Sequence, residues 1–317
     1  MMFRPAARFL LSSACAVAMV LAVSCSKPPT SPTPQPPTGG TGGGGGNSGS
    51  TGQTVVVLAV GDIGMCNAGH TAPLPAVTAT AKLVASLQGI LLLAGDIAYL
   101  HGSAADFRDC FDPAWGQFRS RWHAVPGNHE YESTGAGPYF DYFGEAAGPQ
   151  GLGYYSVTIG DWQVLMLNSN IAVGRGSAQW EFVRQQLQLQ RTPCTMAMWH
   201  HPLFTSGPNG PNANMRDMWA LLETANVELV VNGHDHLYER FARQTADGTA
   251  EPAKGIRQLT VGTGGAEVYS FVRTSANSEF RLAEHGVMRL TLQPAAMQWE
   301  FLTTAGRSAD QGLDTCR

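Results

Sequence analysis

The apolar residues of this chain gather in short unbroken runs, and each run stops at a polar turn. Residues 55–60 have strand length and end at Gly61-Asp62. Residues 90–94 repeat the pattern and end at Gly95-Asp96, and residues 122–125 lead into Pro126-Gly127-Asn128-His129-Glu130. Two further runs, 195–199 and 227–231, stop at His200-His201-Pro202 and at Asn232-Gly233-His234-Asp235-His236. Between the runs, apolar residues recur every three or four positions. Val77, Ala81, Val84 and Leu87 mark one face of a helix over about 76–87, and further helices are predicted at 104–119 and 177–190. Residues 153–159 and 162–167 flank Gly160-Asp161 as a hairpin, and 257–261, 287–292 and 297–302 predict a mostly β C-terminus. Strands that end in polar residues, with helices between them, predict an α/β fold whose site lies at the strand C-termini.

Residues 1–54 break this pattern. Arg4 and Arg8 precede a short apolar run that ends at Ser24-Cys25, which reads as an export signal over residues 1–24 and not as a spanning helix. The run Leu21-Ala22-Val23-Ser24-Cys25 resembles the lipobox of bacterial lipoproteins, in which the cysteine is acylated after cleavage. Ala22 stands where a larger aliphatic residue is usual, with Leu21 one step further out, and an ordinary cleaved signal is the alternative. Six prolines between Lys27 and Pro37 and nine glycines between Gly39 and Gly52 make a spacer that buries nothing. Residues 25–54 are therefore expected to be a linker that tethers a domain, residues 55–317, to a membrane through Cys25. That places the domain in the periplasm or at the cell surface.

Of the 317 residues 44% are hydrophobic and 14% charged, which excludes a disordered or collagen-like chain. Three of the 20 basic residues and no acidic residue lie in the first 54, so the domain carries 17 basic against 24 acidic residues. Nucleic-acid affinity comes mostly from neutralising phosphates with Lys and Arg, so no nucleic acid is expected as a stable partner. The domain has four cysteines, Cys66, Cys110, Cys194 and Cys316, and an oxidising compartment predicts two disulfides with three possible pairings. Cys66–Cys110 with Cys194–Cys316 is favoured because the second bridge would anchor the tail. No two of the cysteines are close enough in sequence for the short-spaced pair of a zinc site.

Each polar strand end is a weak signal alone, since Gly and Asp are common turn residues. Together and in this order, Gly61-Asp62, Gly95-Asp96-Ile97-Ala98-Tyr99, Gly127-Asn128-His129-Glu130, His200-His201-Pro202 and Gly233-His234-Asp235-His236 resemble the calcineurin-like metallophosphoesterase superfamily. Gly64 stands where many relatives have a histidine, two residues after the first Asp. Tyr99, three residues after Asp96, matches the tyrosinate ligand of purple acid phosphatases, so the chain looks like that branch. The resemblance implies a four-layer αββα sandwich of two mixed β-sheets flanked by helices. It also implies a first metal held by Asp62, Asp96, Tyr99 and His236, and a second held by Asp96, Asn128, His200 and His234, with Asp96 bridging.

Counting ionised Asp and Tyr, and splitting Asp96 equally, the first site collects about two and a half negative charges and the second about half of one. That asymmetry favours Fe(III) at the Tyr99 site and Fe(II), Zn or Mn at the second. Two cations roughly 3.5–4 Å apart would clamp phosphoryl oxygens and acidify a bound water, so that hydroxide attacks phosphorus in line. His129 matches the family histidine that contacts substrate and serves the leaving oxygen; orienting Asn128 is its alternative role. His201 is a candidate substrate-binding residue, with an exposed loop histidine as the equal alternative. Glu130 and Asp235 are expected to fix loops and ligating imidazoles. The sequence therefore predicts an exported two-metal phosphatase hydrolysing small phosphomonoesters with an acidic optimum. A phosphodiesterase or nucleotidase using the same centre, or a non-catalytic surface lipoprotein, is the alternative.

Overall fold

The strand Val55–Val60 (β1) is apolar on both faces because both faces are covered. In the computed structural model, which describes residues 52–190 and 192–317, β1 runs parallel to Ile90–Ala94 (β2), and β2 runs parallel to Trp122–Val125 (β3). Val57 and Ala59 face a core shared with a second sheet, while Leu58 and Val60 face the helices outside. Leu92 and Ala94 against Leu91 and Leu93 repeat that division in β2. Successive strand side chains point to opposite faces, so a strand in the middle of such a stack must be apolar throughout. The export signal 1–24, Cys25 and the linker up to residue 51 lie outside the described residues.

The remaining strands are Tyr155–Ile159 (β4), Trp162–Met166 (β5), Cys194–Met198 (β6), Leu229–Asn232 (β7), Tyr238–Phe241 (β8), Arg257–Val261 (β9), Ser278–Leu282 (β10), Gly286–Gln293 (β11), Ala296–Thr303 (β12) and Ser308–Thr315 (β13). One sheet has the order β13-β12-β11-β1-β2-β3 and the other β10-β8-β9-β7-β6-β5-β4. Both are mixed: β11 pairs antiparallel with β1, and β4 with β5, beside parallel pairs. The inner core lies between the sheets and includes Met196, Met198, Leu229 and Val231. Helix Pro75–Ala85 and the aromatic residues Phe107, Phe111, Trp115, Tyr139, Phe140 and Phe143 cover the outside of one sheet. Helices Ala178–Leu189 and Arg216–Thr224 cover the other, burying Trp180, Phe182 and Trp219. The expected four layers are present.

Two helical expectations differ from the fold. The segment 104–119 is a succession of short pieces, including a π turn over Phe107–Phe111, because Pro113 has no N–H to continue the ladder. Helix Arg216–Thr224 was not anticipated, although Met215, Met218, Trp219 and Leu222 recur on one buried face. Both favoured disulfides form. Cys66–Cys110 has a Cα–Cα distance of 4.9 Å, and Cys194–Cys316, at 5.6 Å, fastens the residue after β13 to the start of β6.

Candidate metal centre

Every candidate ligand stands just after a strand, on a turn or, for Asn128, at the start of the short helix Asn128–Glu132, and the strands come from both sheets. Asp62 follows β1, Asp96 and Tyr99 follow β2, and Asn128 follows β3; His200 follows β6, and His234 and His236 follow β7. Asp62, Asp96 and His234 have left-handed backbone, with φ of 59°, 49° and 73°. The conformation is uncommon for residues other than glycine because it crowds Cβ against the backbone, and Asp and His are among those that tolerate it best. The neighbouring glycines make the space. A Cβ on Gly127 would lie 2.1 Å from Asp96 Oδ1, one on Gly233 2.5 Å from Asp62 Oδ2, and one on Gly95 2.6 Å from His200 Nδ1.

The side chains converge. The Tyr99 hydroxyl donates to Asp62 Oδ1 at 2.9 Å and also lies 3.2 Å from Asp96 Oδ2 and 3.0 Å from His236 Nε2. His236 Nε2 is 3.3 Å from Asp62 Oδ1. On the other side of Asp96, His200 Nε2 is 3.1 Å from Oδ2 in poor hydrogen-bond alignment, and the His200 and His234 rings are 5.1 Å apart. Ligand atoms of Asp62, Asp96 and His200 lie within 4.8 Å of one another, as do those of His200, His201 and His234. Asp96 therefore touches both halves of the cluster. His200 Nδ1–H donates to Ala94 O and His236 Nδ1–H to Glu267 O, both at 2.8 Å, which leaves each Nε2 lone pair aimed inward.

The electrostatics follow from this crowding. Burial works against the Asp96 carboxylate, but His200 and His129 outweigh it and hold its pKa well below the usual range. Burial, Asp62 and Asp96 push the Tyr99 phenol well above its ordinary value. The same burial opposes charge on His200, yet Asp96 raises it to about 9. Burial and the neighbouring His200 lower His201 to about 3 and His234 to about 2, so both stay neutral.

The carboxylate of Glu130 takes four backbone N–H groups, those of Asp96, Gly127, Ile97 and Ala98, at 2.7–3.1 Å. It fixes a loop, as expected. Asp235 meets half of its expectation: its oxygens accept from the Thr205 hydroxyl and the Asn209 N–H, so it fixes the 205–209 loop but holds no imidazole. His129 packs its ring 4.4 Å from that of Tyr99, gives Nδ1–H to Leu100 O, and keeps Nε2 3.8 Å from Asp96 Oδ2. His201 is half-buried, 2.8 Å from the Ser169 hydroxyl and 4.4 Å from the His234 ring, and is not a solvated loop residue. A side chain at Gly64 would meet Ile97 O at 2.6 Å, so this backbone has no room for a histidine there. Sequence reasoning missed Tyr269, whose ring stacks on His236 at 4.0 Å and whose N–H donates to His236 O. The glycine run 262–265 was the available signal, since a Cβ on Gly262 would come within 2.8 Å of Asp62 Oδ2.

A sequence profile of the Calcineurin-like phosphoesterase family matches residues 55–238, more than half of the chain. The chain belongs to the calcineurin-like phosphoesterase family. It is 26% identical to purple acid phosphatase 15 of Arabidopsis thaliana over 229 residues, covering 59% of this chain and 41% of that one. Probable purple acid phosphatase 20 of the same plant is 27% identical over 244 residues, covering 67% and 55%. A purple acid phosphatase from yellow lupin (Lupinus luteus) seeds shares the fold, with a TM-score of 0.70 at 20% identity over 84% of this chain and 54% of that one. The chain thus spans about half the length of these relatives. Membership with this kinship implies a two-metal centre, and the donor set fits one. Asn128 Oδ1 is buried without a hydrogen-bond partner, and two buried carboxylates face a phenol and inward-pointing imidazoles. Oxygen and imidazole donors of this kind hold iron, zinc or manganese.

Proposed function

We propose that residues 55–317 are the catalytic domain of an exported two-metal phosphatase that hydrolyses small phosphomonoesters. Asp62, Asp96, Tyr99 and His236 would hold one ion, Fe(III), and Asp96, Asn128, His200 and His234 a second, Fe(II), Zn or Mn. The observation that carries the reading is Asp96, whose Oδ2 lies within 3.2 Å of both Tyr99 and His200. Bound there, the two ions would supply Lewis acidity to phosphoryl oxygens and a water acidified towards neutrality.

The chain's own residues do the rest. Ser169 Oγ accepts the His201 backbone N–H and pairs with Nδ1; with the hydroxyl as donor in that pair, the His201 Nε2–H would be turned to a phosphoryl oxygen. His129 spends Nδ1–H on Leu100 O, so its imidazolium form has one proton to give, from Nε2 to the leaving alkoxide. The two disulfides support export, since such bridges persist in oxidising compartments. Membrane anchoring through acylated Cys25 belongs to the same proposal.

Hydrolysis of p-nitrophenyl phosphate by metal-loaded wild type and Asp96→Asn tests the reading, and equal rates would end it. A parallel diester assay separates phosphatase from phosphodiesterase. Visible absorption that disappears in Tyr99→Phe identifies the ferric phenolate. Release of Cys25→Ser protein from the membrane fraction tests the anchor.

A further inference from the structure

The Cys66–Cys110 bridge has company. Cys110 Sγ lies 3.5 Å from His70 Nε2, and that nitrogen lies 3.4 Å from Asp106 Oδ1. The donor atoms of Cys66, His70 and Cys110 are all within 4.8 Å of one another. Cys66 and His70 stand four residues apart across a turn closed by the His70 N–H on Asn67 O, at 2.8 Å. Asp106 and Cys110 stand four apart on one helical segment and so share a face. The sequence argued against zinc because no two cysteines are neighbours. The fold instead pairs each cysteine with a nitrogen or oxygen donor and brings the two pairs together.

Asp106 and Cys110 are buried, and Asp106 Oδ2 is already taken by the N–H groups of His101 and Ser103 and by the Ser103 hydroxyl. Its Oδ1 is the oxygen turned to His70. The His70 side chain is 44% exposed, which gives an ion a way in. Two sulfurs, one imidazole and one carboxylate match the tetrahedral donor set of zinc, provided both sulfurs are thiolates.

We propose that the reduced chain binds one Zn²⁺ between Cys66, His70, Asp106 and Cys110, and that oxidation exchanges the ion for the disulfide. In the reductive step a dithiol gives two electrons to the Cys66–Cys110 bond and becomes a disulfide itself; the two cysteines end as thiolates on Zn²⁺, and the dithiol's two protons pass to solvent. In the oxidative step a small-molecule disulfide takes two electrons and two protons, becomes a dithiol, and the Cys66–Cys110 bond forms as Zn²⁺ leaves. Either form ties the segment after Asp62 to the segment after Tyr99, so the backbone carrying these residues is cross-linked in oxidising and reducing surroundings alike. The inference does not depend on the phosphatase reading.

Cobalt(II) titration of the full-length protein, with and without a phosphine reductant, tests it. Thiolate-to-cobalt charge-transfer absorption comes only from sulfur ligands, so ions at the Asp96 centre do not contribute. A Cys66→Ser/Cys110→Ser chain, titrated in parallel, subtracts the other cysteines. The expected difference spectrum is a charge-transfer band saturating at one cobalt per reduced chain, absent from oxidised protein and displaced by zinc. His70→Ala should weaken cobalt binding at least tenfold. No difference band in reduced protein, whether folded by circular dichroism or not, overturns the proposal, as does unchanged affinity in His70→Ala. Because no readout is turnover, an inactive Asp96 centre leaves the test intact.

Discussion

The Glu130 carboxylate accepts the backbone N–H of Asp96 at 2.9 Å, and so holds in place the residue that both halves of the candidate metal centre share. Each Glu130 oxygen serves two N–H donors. Glu130→Gln offers one oxygen and turns an NH₂ towards the other two donors. A buried donor without an acceptor costs about 1–3 kcal/mol, so denaturant melts should show a loss on the order of 3 kcal/mol. Metal affinity should fall with it, measured by chelator competition.

Gly127 has extended backbone, φ −99° and ψ −172°, which any residue can adopt. Its side-chain position is nonetheless filled by Asp96, whose Oδ1 lies 2.1 Å and whose backbone N lies 2.3 Å from it. Gly127→Ala should therefore push the Asp96 turn and its carboxylate out of place. A misplacement of about 1 Å is enough to lower kcat by about 10²-fold, and metal titration should show weaker binding.

The metal-free protein should lose stability on the alkaline side. The folded value of His200, about 9, exceeds its ordinary 6.5, so its proton stabilises the fold fully below 6.5 and is lost as the pH climbs through 9. The shift corresponds to stabilisation on the order of 3 kcal/mol. His201 and His234 are neutral throughout that window and do not oppose it. Metal-loaded protein, in which His200 would be held deprotonated as a proposed ligand, should show no such fall. Thermal melts between pH 6.5 and 9, with and without metal, check both halves.

Cys194 and Cys316 are 122 residues apart, and closing so long a loop restricts the unfolded chain strongly. The chain-entropy estimate is about 5 kcal/mol. Cys194→Ser/Cys316→Ser should melt at a markedly lower temperature, while the proposed phosphatase turnover, measured at low temperature, stays near wild type, because neither cysteine belongs to the candidate metal centre.

The strand ends were legible because burial on both faces forces continuous apolar runs, and Asp62, Asp96, Asn128, His200 and His234 interrupt those runs where chemistry begins. Local order carries such a signal. It does not carry contacts between distant loops: nothing near His201 foretells Ser169, and nothing near His236 foretells the stacked ring of Tyr269. The helix expected over 104–119 failed at one residue, Pro113, which the periodicity outvoted. Asp235 was legible only in part. Its loop-fixing role follows from its place on a turn, but a carboxylate between two candidate ligand histidines also invites a role beside them, and on an irregular turn neighbouring side chains diverge, so its own points at Thr205.

The ligand turns are divided between the layers: Asp62, Asp96, Tyr99 and Asn128 hang from one sheet, and His200, His234 and His236 from the other. An ion gripped by both groups would act as a rivet through the hydrophobic seam. Prising the layers apart would take one of four ligands from the first ion and two of four from the second, so seam opening and ion escape become a single event. Such a protein would gain stability with the logarithm of the metal concentration around it, and a starved one would come apart along that seam first.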